Sequence, residues 1–255
     1  MNVSTRIASA WKKNTLLLGL SLCTLFTAAA AESAPVLKDN SIEIAGKTIT
    51  MQPNGMFSCK NRQGVEILRC PAPYFWLVKD GKNLWGWKDK NFDQSKSKFT
   101  REGNKYTWEL WYGNPNDGIQ PAKFVVQTLE VLPDGTFELS YINETPEKSD
   151  AGLFKLWTQT LMLPFAAWLN ESWTNSKGNQ VLTSEIKTTS EYEKGGLLKW
   201  TFAADKPEKR ITLMVKKNPN RQLVIMPRKD TKHYQVYTEG AITRNKKAVI
   251  YIDFR

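Results

Sequence analysis

The chain has 255 residues, with 36 Lys and Arg against 25 Asp and Glu, one His and three Cys, for a formal charge of +11. So few histidines and cysteines cannot furnish a typical closed zinc site, and any Ser-His-Asp arrangement would have to use His233. No Gly-x-Ser-x-Gly elbow, His-Glu-x-x-His pair, phosphate-cradling glycine loop or dinucleotide fingerprint occurs, so no motif points to those chemistries and no cofactor is expected.

The first 31 residues read as a cleavable secretory signal. Arg6, Lys12 and Lys13 precede an apolar run over 16–26, and Ala29-Ala30-Ala31 stands before Glu32. That is the charged, apolar and small-residue order of an export leader, and the apolar run is short of the roughly 20 residues that span a bilayer. Lipid attachment at Cys23 is the alternative, but the bulky Leu22 stands where bacterial lipoprotein signals place a small residue. The expected product is one domain over 32–255, periplasmic or secreted, with no transmembrane helix. Export disfavours nucleic acid as a partner, and no nucleic-acid-binding motif is present.

Beyond the leader, short alternating runs are separated by turn residues. They fall at 47–52, 56–60, 65–70, 74–79, 105–112, 123–131, 136–143, 153–163, 197–203, 211–216, 222–226, 234–239 and 248–254. This pattern predicts an all-β chain, and the number of runs exceeds the seven to nine strands of an immunoglobulin-type sandwich. A large two-sheet antiparallel β-sandwich of the supersandwich type is expected. Pro53-Asn54-Gly55 and Pro133-Asp134-Gly135 supply turns, with φ preset by Pro and positive φ open to Gly. The single helical candidate is 165–169.

Cys59 and Cys70 remain once Cys23 leaves with the signal, an even number in an oxidising compartment. A disulfide between them is expected, closing a loop of about 12 residues and contributing about 3 kcal/mol in the chain-entropy model. Two reduced, buried thiols are the alternative.

Nine of the ten tryptophans lie beyond the leader, and five fall between Trp76 and Trp111. Trp85 and Trp87 flank Gly86 and share one face of a strand, either as a stacking platform for sugar rings or as core. Over 105–112, Tyr106, Trp108, Leu110 and Tyr112 make the core face, with Thr107, Glu109 and Trp111 opposite. In the last fifth, 206–255, 13 basic residues stand against four acidic ones. Arg228 and Lys232 belong to this focus, which either attracts an anionic partner such as an acidic polysaccharide or is a set of solvated cations guarding strand edges. His233 sits among them and is expected to be neutral; it is either an exposed loop histidine of no special role or the group that would abstract a proton from an acidic sugar.

The segment Asp134-Gly135-Thr136-Phe137-Glu138-Leu139-Ser140-Tyr141-Ile142-Asn143-Glu144-Thr145-Pro146 resembles the strand and Asn-containing turn of galactose-mutarotase-like sandwich domains. The resemblance implies a β-supersandwich and a carbohydrate context. The histidine-plus-aromatic segment of mutarotases has no counterpart here, and no catalytic residue carries across. The expectation is an exported, non-catalytic carbohydrate-binding sandwich using Trp85, Trp87, Arg228 and Lys232. The alternatives are a polysaccharide lyase or sugar epimerase acting through His233, and a structural envelope protein.

Overall fold

The computed structural model describes residues 34–79, 82–87, 92–112, 123–144, 153–157, 161–192, 197–216, 222–238 and 247–255. For 74–79, 82–87, 153–157 and residues 123, 143 and 216 the description is of backbone alone. The expected leader over 1–31, with Cys23, lies outside the described residues.

The expected two-sheet sandwich is what the chain builds. The first sheet has nine strands in the order β1 (Val36–Leu37), β2 (Ser41–Ile44), β3 (Lys47–Met51), β4 (Phe57–Lys60), β5 (Glu66–Cys70), β13 (Leu161–Pro164), β20 (His233–Thr238), β19 (Gln222–Arg228) and β16 (Thr189–Tyr192). The second also has nine: β15 (Gly178–Val181), β14 (Ser172–Asn175), β17 (Leu197–Phe202), β18 (Ile211–Lys216), β21 (Lys247–Asp253), β11 (Phe137–Asn143), β10 (Lys123–Val131), β9 (Lys105–Tyr112) and β8 (Lys98–Glu102). A separate three-stranded sheet is formed by β12 (Leu153–Trp157), β6 (Tyr74–Lys79) and β7 (Lys82–Trp87). The helical candidate is one turn, α1 (Phe165–Trp168).

Period-2 alternation decides which side chains meet between the sheets. On β9, Tyr106, Trp108, Leu110 and Tyr112 are fully buried, while Thr107, Glu109 and Trp111 are half-buried on the outer face. The 52–56 turn then plugs into this inner face. Trp108 Nε1 donates to Gln52 O at 2.8 Å and Gln127 Nε2 to Gly55 O at 2.8 Å. Gly55 has φ +85°, and a Cβ there would lie 2.7 Å from Leu110 Cδ1 and 2.8 Å from Gln127 Oε1. Glycine is therefore required by both conformation and space.

One cation is built into the interior. Lys47 points inward from β3, is 1% exposed, and donates from Nζ to Pro207 O at 2.7 Å and Phe254 O at 2.6 Å. It ties the first sheet to the C-terminal end of the second, and burial pushes its ammonium pKa below the ordinary lysine value.

The expected disulfide is corrected: Cys59 and Cys70 are both free and buried. The reason is register. In the β4–β5 hairpin Cys59 faces Leu68 and Cys70 faces Phe57, which makes the two cysteines diagonal neighbours on one face. Diagonal positions hold Cβ atoms about 7 Å apart, against the roughly 4 Å of a disulfide. The Cys70 thiol instead lies 3.4 Å from the Tyr141 hydroxyl, and burial pushes both thiols up to about 12. Iodoacetamide should therefore leave the mass of the native protein unchanged and modify both residues once it is denatured, and reductant should not move the melting midpoint. A midpoint that falls on reduction would show a bond between them.

Candidate functional site

The outer face of the first sheet carries four polar residues of the C-terminal region, Arg228, His233, Gln235 and Tyr237. β19 and β20 form a hairpin in which Arg228 pairs directly with His233, joined by a turn in which Lys232 takes φ +51°. Along β20, Tyr234, Val236 and Thr238 are buried inward, which leaves His233, Gln235 and Tyr237 half-buried on the outer face. On β13 the same alternation turns Met162 and Pro164 outward.

Pairing across the sheet extends this surface. Met162 is opposite both Arg69 of β5 and Gln235 of β20, and Gln235 is opposite Met226 of β19. Arg69, Met162, Gln235 and Met226 thus form one row, and Pro164, His233 and Arg228 the next, about 7 Å further along the strands. The two arginines are held in place: Arg69 Nη2 bonds Glu66 Oε2 at 3.0 Å and Arg228 Nη2 bonds Asp230 Oδ2 at 3.2 Å.

The setting of His233 holds its pKa below the ordinary imidazole value. Burial lowers its pKa most, its ring bond to Thr231 O opposes that, and the Arg228 and Arg69 charges lower it further. Its Nδ1 lies 3.3 Å from Thr231 O. The surface offers guanidinium and amide donors, an imidazole and two thioether side chains.

Lys232 is exposed in the hairpin turn, and its carbonyl accepts from Phe165 N at 2.9 Å. Trp85 and Trp87 lie on β7, opposite Leu77 and Phe75 of β6, and their side chains are outside the described residues. The backbone still locates them. The three-stranded sheet leaves the first sheet where β5 ends at Cys70 and β13 begins at Leu161, with Tyr74 paired to Trp157. His233 and Arg228 sit at the other end of β13, beside Pro164.

The basic excess of the last fifth is dispersed among the described residues. Lys206 and Lys209 converge on Glu171, Lys229 bonds Glu185, Lys247 bonds Glu138 on the second sheet, and Arg255 bonds Asp253. Burial tends to raise the Glu171 pKa, but bonds from Lys206 and Lys209 overcome it and hold the carboxylate below its usual range.

Sequence reasoning missed two features. Arg69 reaches the His233 surface only through the β5–β13–β20 order, which no local signal encodes. Trp111 and Phe124 stack at 4.4 Å on the outer face of the second sheet; alternation had put Trp111 on that face, but its partner depends on the register with β10.

Comparison with known proteins supports the architecture. A galactose mutarotase-related enzyme from Lactobacillus acidophilus superposes with a TM-score of 0.56 at 11% identity, covering 84% of this chain and 96% of that one. The chain therefore has the fold of the galactose-mutarotase-like supersandwiches. An alpha-mannosidase from Enterococcus faecalis V583 aligns with a TM-score of 0.46 at 8% identity, over 87% of this chain and 30% of the mannosidase. No known family pattern matches the sequence. No curated protein matches it either.

Proposed function

We propose that this is an exported, non-catalytic carbohydrate-binding β-sandwich whose ligand lies on the outer face of the first sheet. The observation that carries the reading is the row structure of that face, where Arg69, Gln235, His233 and Arg228 come from three strands onto one surface of a mutarotase-like fold. Guanidinium and amide donors match the hydroxyl and carboxylate oxygens of a glycan, and Met162 and Met226 give sugar C–H groups an apolar floor. A carboxylated glycan fits the two arginines better than a neutral one. Binding without turnover is supported by the setting of His233, since Asp230, the carboxylate whose charge acts on it, is already bonded to Arg228.

Affinity electrophoresis through polygalacturonate and through a neutral β-glucan checks this. Mobility should fall in the acidic gel, and the retardation should weaken as salt rises, since only the electrostatic part is screened. Below the ordinary imidazole range of about 6.5, protonation of His233 should strengthen it. Joint replacement Arg69→Gln and Arg228→Gln should cost tenfold or more in affinity. Equal mobility in both gels and in plain buffer would sink the reading, and release of reducing or unsaturated sugar would replace it with an enzyme.

A further inference from the structure

The second sheet is split at one seam. β14 pairs with β17 at only two positions, Trp173 with Phe202 and Thr174 with Thr201, although β17 continues back to Leu197 fully paired to β18 on its other side. Past Thr174 the chain turns sharply into β15 through Ser176 and Lys177, with Asn175 opposite Gly178. The Ser176 N–H that would continue the ladder donates instead to Glu191 Oε1 at 3.1 Å. That carboxylate also accepts from Trp200 Nε1. Glu191, buried on β16 of the first sheet, thus bonds the β14–β15 turn where the pairing to β17 stops.

The result is a fork of about 490 Å³ lined by Thr174, Asn175, Ser176, Leu197, Lys199 and Thr201, among others. The polarity of its β17 wall follows from alternation. Ala203 N donates across the seam to Ser172 O at 2.8 Å, so the main-chain groups of Thr201, Lys199 and Leu197 face the same way. Thr201 is paired with Thr174; among the described residues Lys199 and Leu197 have no strand partner on that side. Leu197 is 51% exposed. At the fork, Asn175 is only 7% exposed, and its Nδ2 has no hydrogen-bond partner, although its Oδ1 accepts from Lys177 N at 2.9 Å.

We propose that this fork is a docking site for an extended peptide segment of a partner protein, added as a short strand beside Leu197 and Lys199. An exposed strand edge offers alternating N–H and C=O groups, which an extended peptide complements in both senses and a sugar does not. Charge sets the flanks: Lys177 and Lys199 are exposed, and neither has an ion-pair partner among the described residues, so the segment carries acidic residues. This site is independent of the glycan face.

Hydrogen exchange and fluorescence anisotropy test it, with a labelled decapeptide library of alternating Val and Thr bearing Glu at the ends. In the free protein the Lys199 amide should exchange at least tenfold faster than those of Leu198 and Trp200, and it should become protected when peptide binds. Methylating alternate peptide nitrogens should weaken binding tenfold or more, with the wild-type protein used throughout. Lys199→Pro, which removes a donor the ladder does not use, should do the same, whereas Lys199→Gln should lose only the salt-dependent part. A Lys199 amide already protected in the free protein, a library with no binding member, or binding indifferent to methylation overturns the proposal. So does protection of Lys199 by cellohexaose or by self-association in place of peptide.

Discussion

Trp108→Ala should lower the unfolding free energy by about 3–5 kcal/mol, the range for truncating a fully buried aromatic side chain. Trp108 is 0% exposed, and its ring stacks on Phe99 with centroids 4.9 Å apart. It also binds the sheets to each other, because its Nε1 donates to Gln52 O in the turn between β3 and β4. Truncation leaves a cavity between the sheets and strips a part-buried carbonyl of its donor, and the two costs have different chemistry. Trp108→Phe separates them: much of the ring volume stays, the indole donor goes, and the loss should shrink to about 1–3 kcal/mol. Urea unfolding followed by circular dichroism checks both. A loss below 1 kcal/mol for the alanine variant would mean that the site collapses around the gap or that the turn is not anchored there.

That anchoring was half legible in the sequence. The alternation of Lys105–Tyr112 assigned Trp108 to the core face, and Pro53-Asn54-Gly55 announced a turn, which closes with Gln52 N on Met56 O at 2.8 Å. What no local pattern contained was that this turn meets that strand, since 56 residues separate donor from acceptor. The cysteines show the same limit in sharper form. An even cysteine count favours pairing, but the outcome rests on a two-residue offset of hairpin register, and parity carries no information about register.

Legibility failed differently for the polar strands. The run 153–163 read as one strand because its apolar residues continue through it; it is β12 and β13, which belong to different sheets. Ser172–Asn175, Gly178–Val181 and Thr189–Tyr192 gave no signal. Two of them place polar groups inward, Asn175 on β14 and Glu191 on β16, where the reading rule expects apolar ones. Asn175 lines the fork, and Glu191 bonds the turn at its edge. On the first sheet, Arg228 and His233 were legible as neighbours in a basic stretch, whereas their joining to Arg69 depends on strands far apart in sequence.

Glu191→Ala should cost about 1–3 kcal/mol, because it leaves the buried Trp200 indole donor unmade, at roughly that cost, and also releases the part-buried Ser176 N–H. Glu191 is 8% exposed and accepts from Trp200 Nε1 through one carboxylate oxygen and from Ser176 N through the other. Trp200 is itself fully buried and packs edge-on against Trp173, centroids 5.1 Å apart, so the indole cannot turn to solvent without disturbing that packing. Ser176 can move. With its acceptor gone, the β14–β15 turn is free to swing back toward β17 and extend the ladder past Thr174, which recovers part of the loss and closes the fork. Glu191→Gln is the informative companion, since one oxygen still accepts while the new amide group confronts a second donor; its cost should be about half that of alanine. Two measurements together decide the matter: urea unfolding for the energy, and exchange of the Lys199 amide for the geometry. A destabilised Glu191→Ala protein in which Lys199 becomes protected would establish that this carboxylate holds the seam apart. Unchanged stability, with Lys199 exchange also unchanged, would show that the seam is open for some other reason.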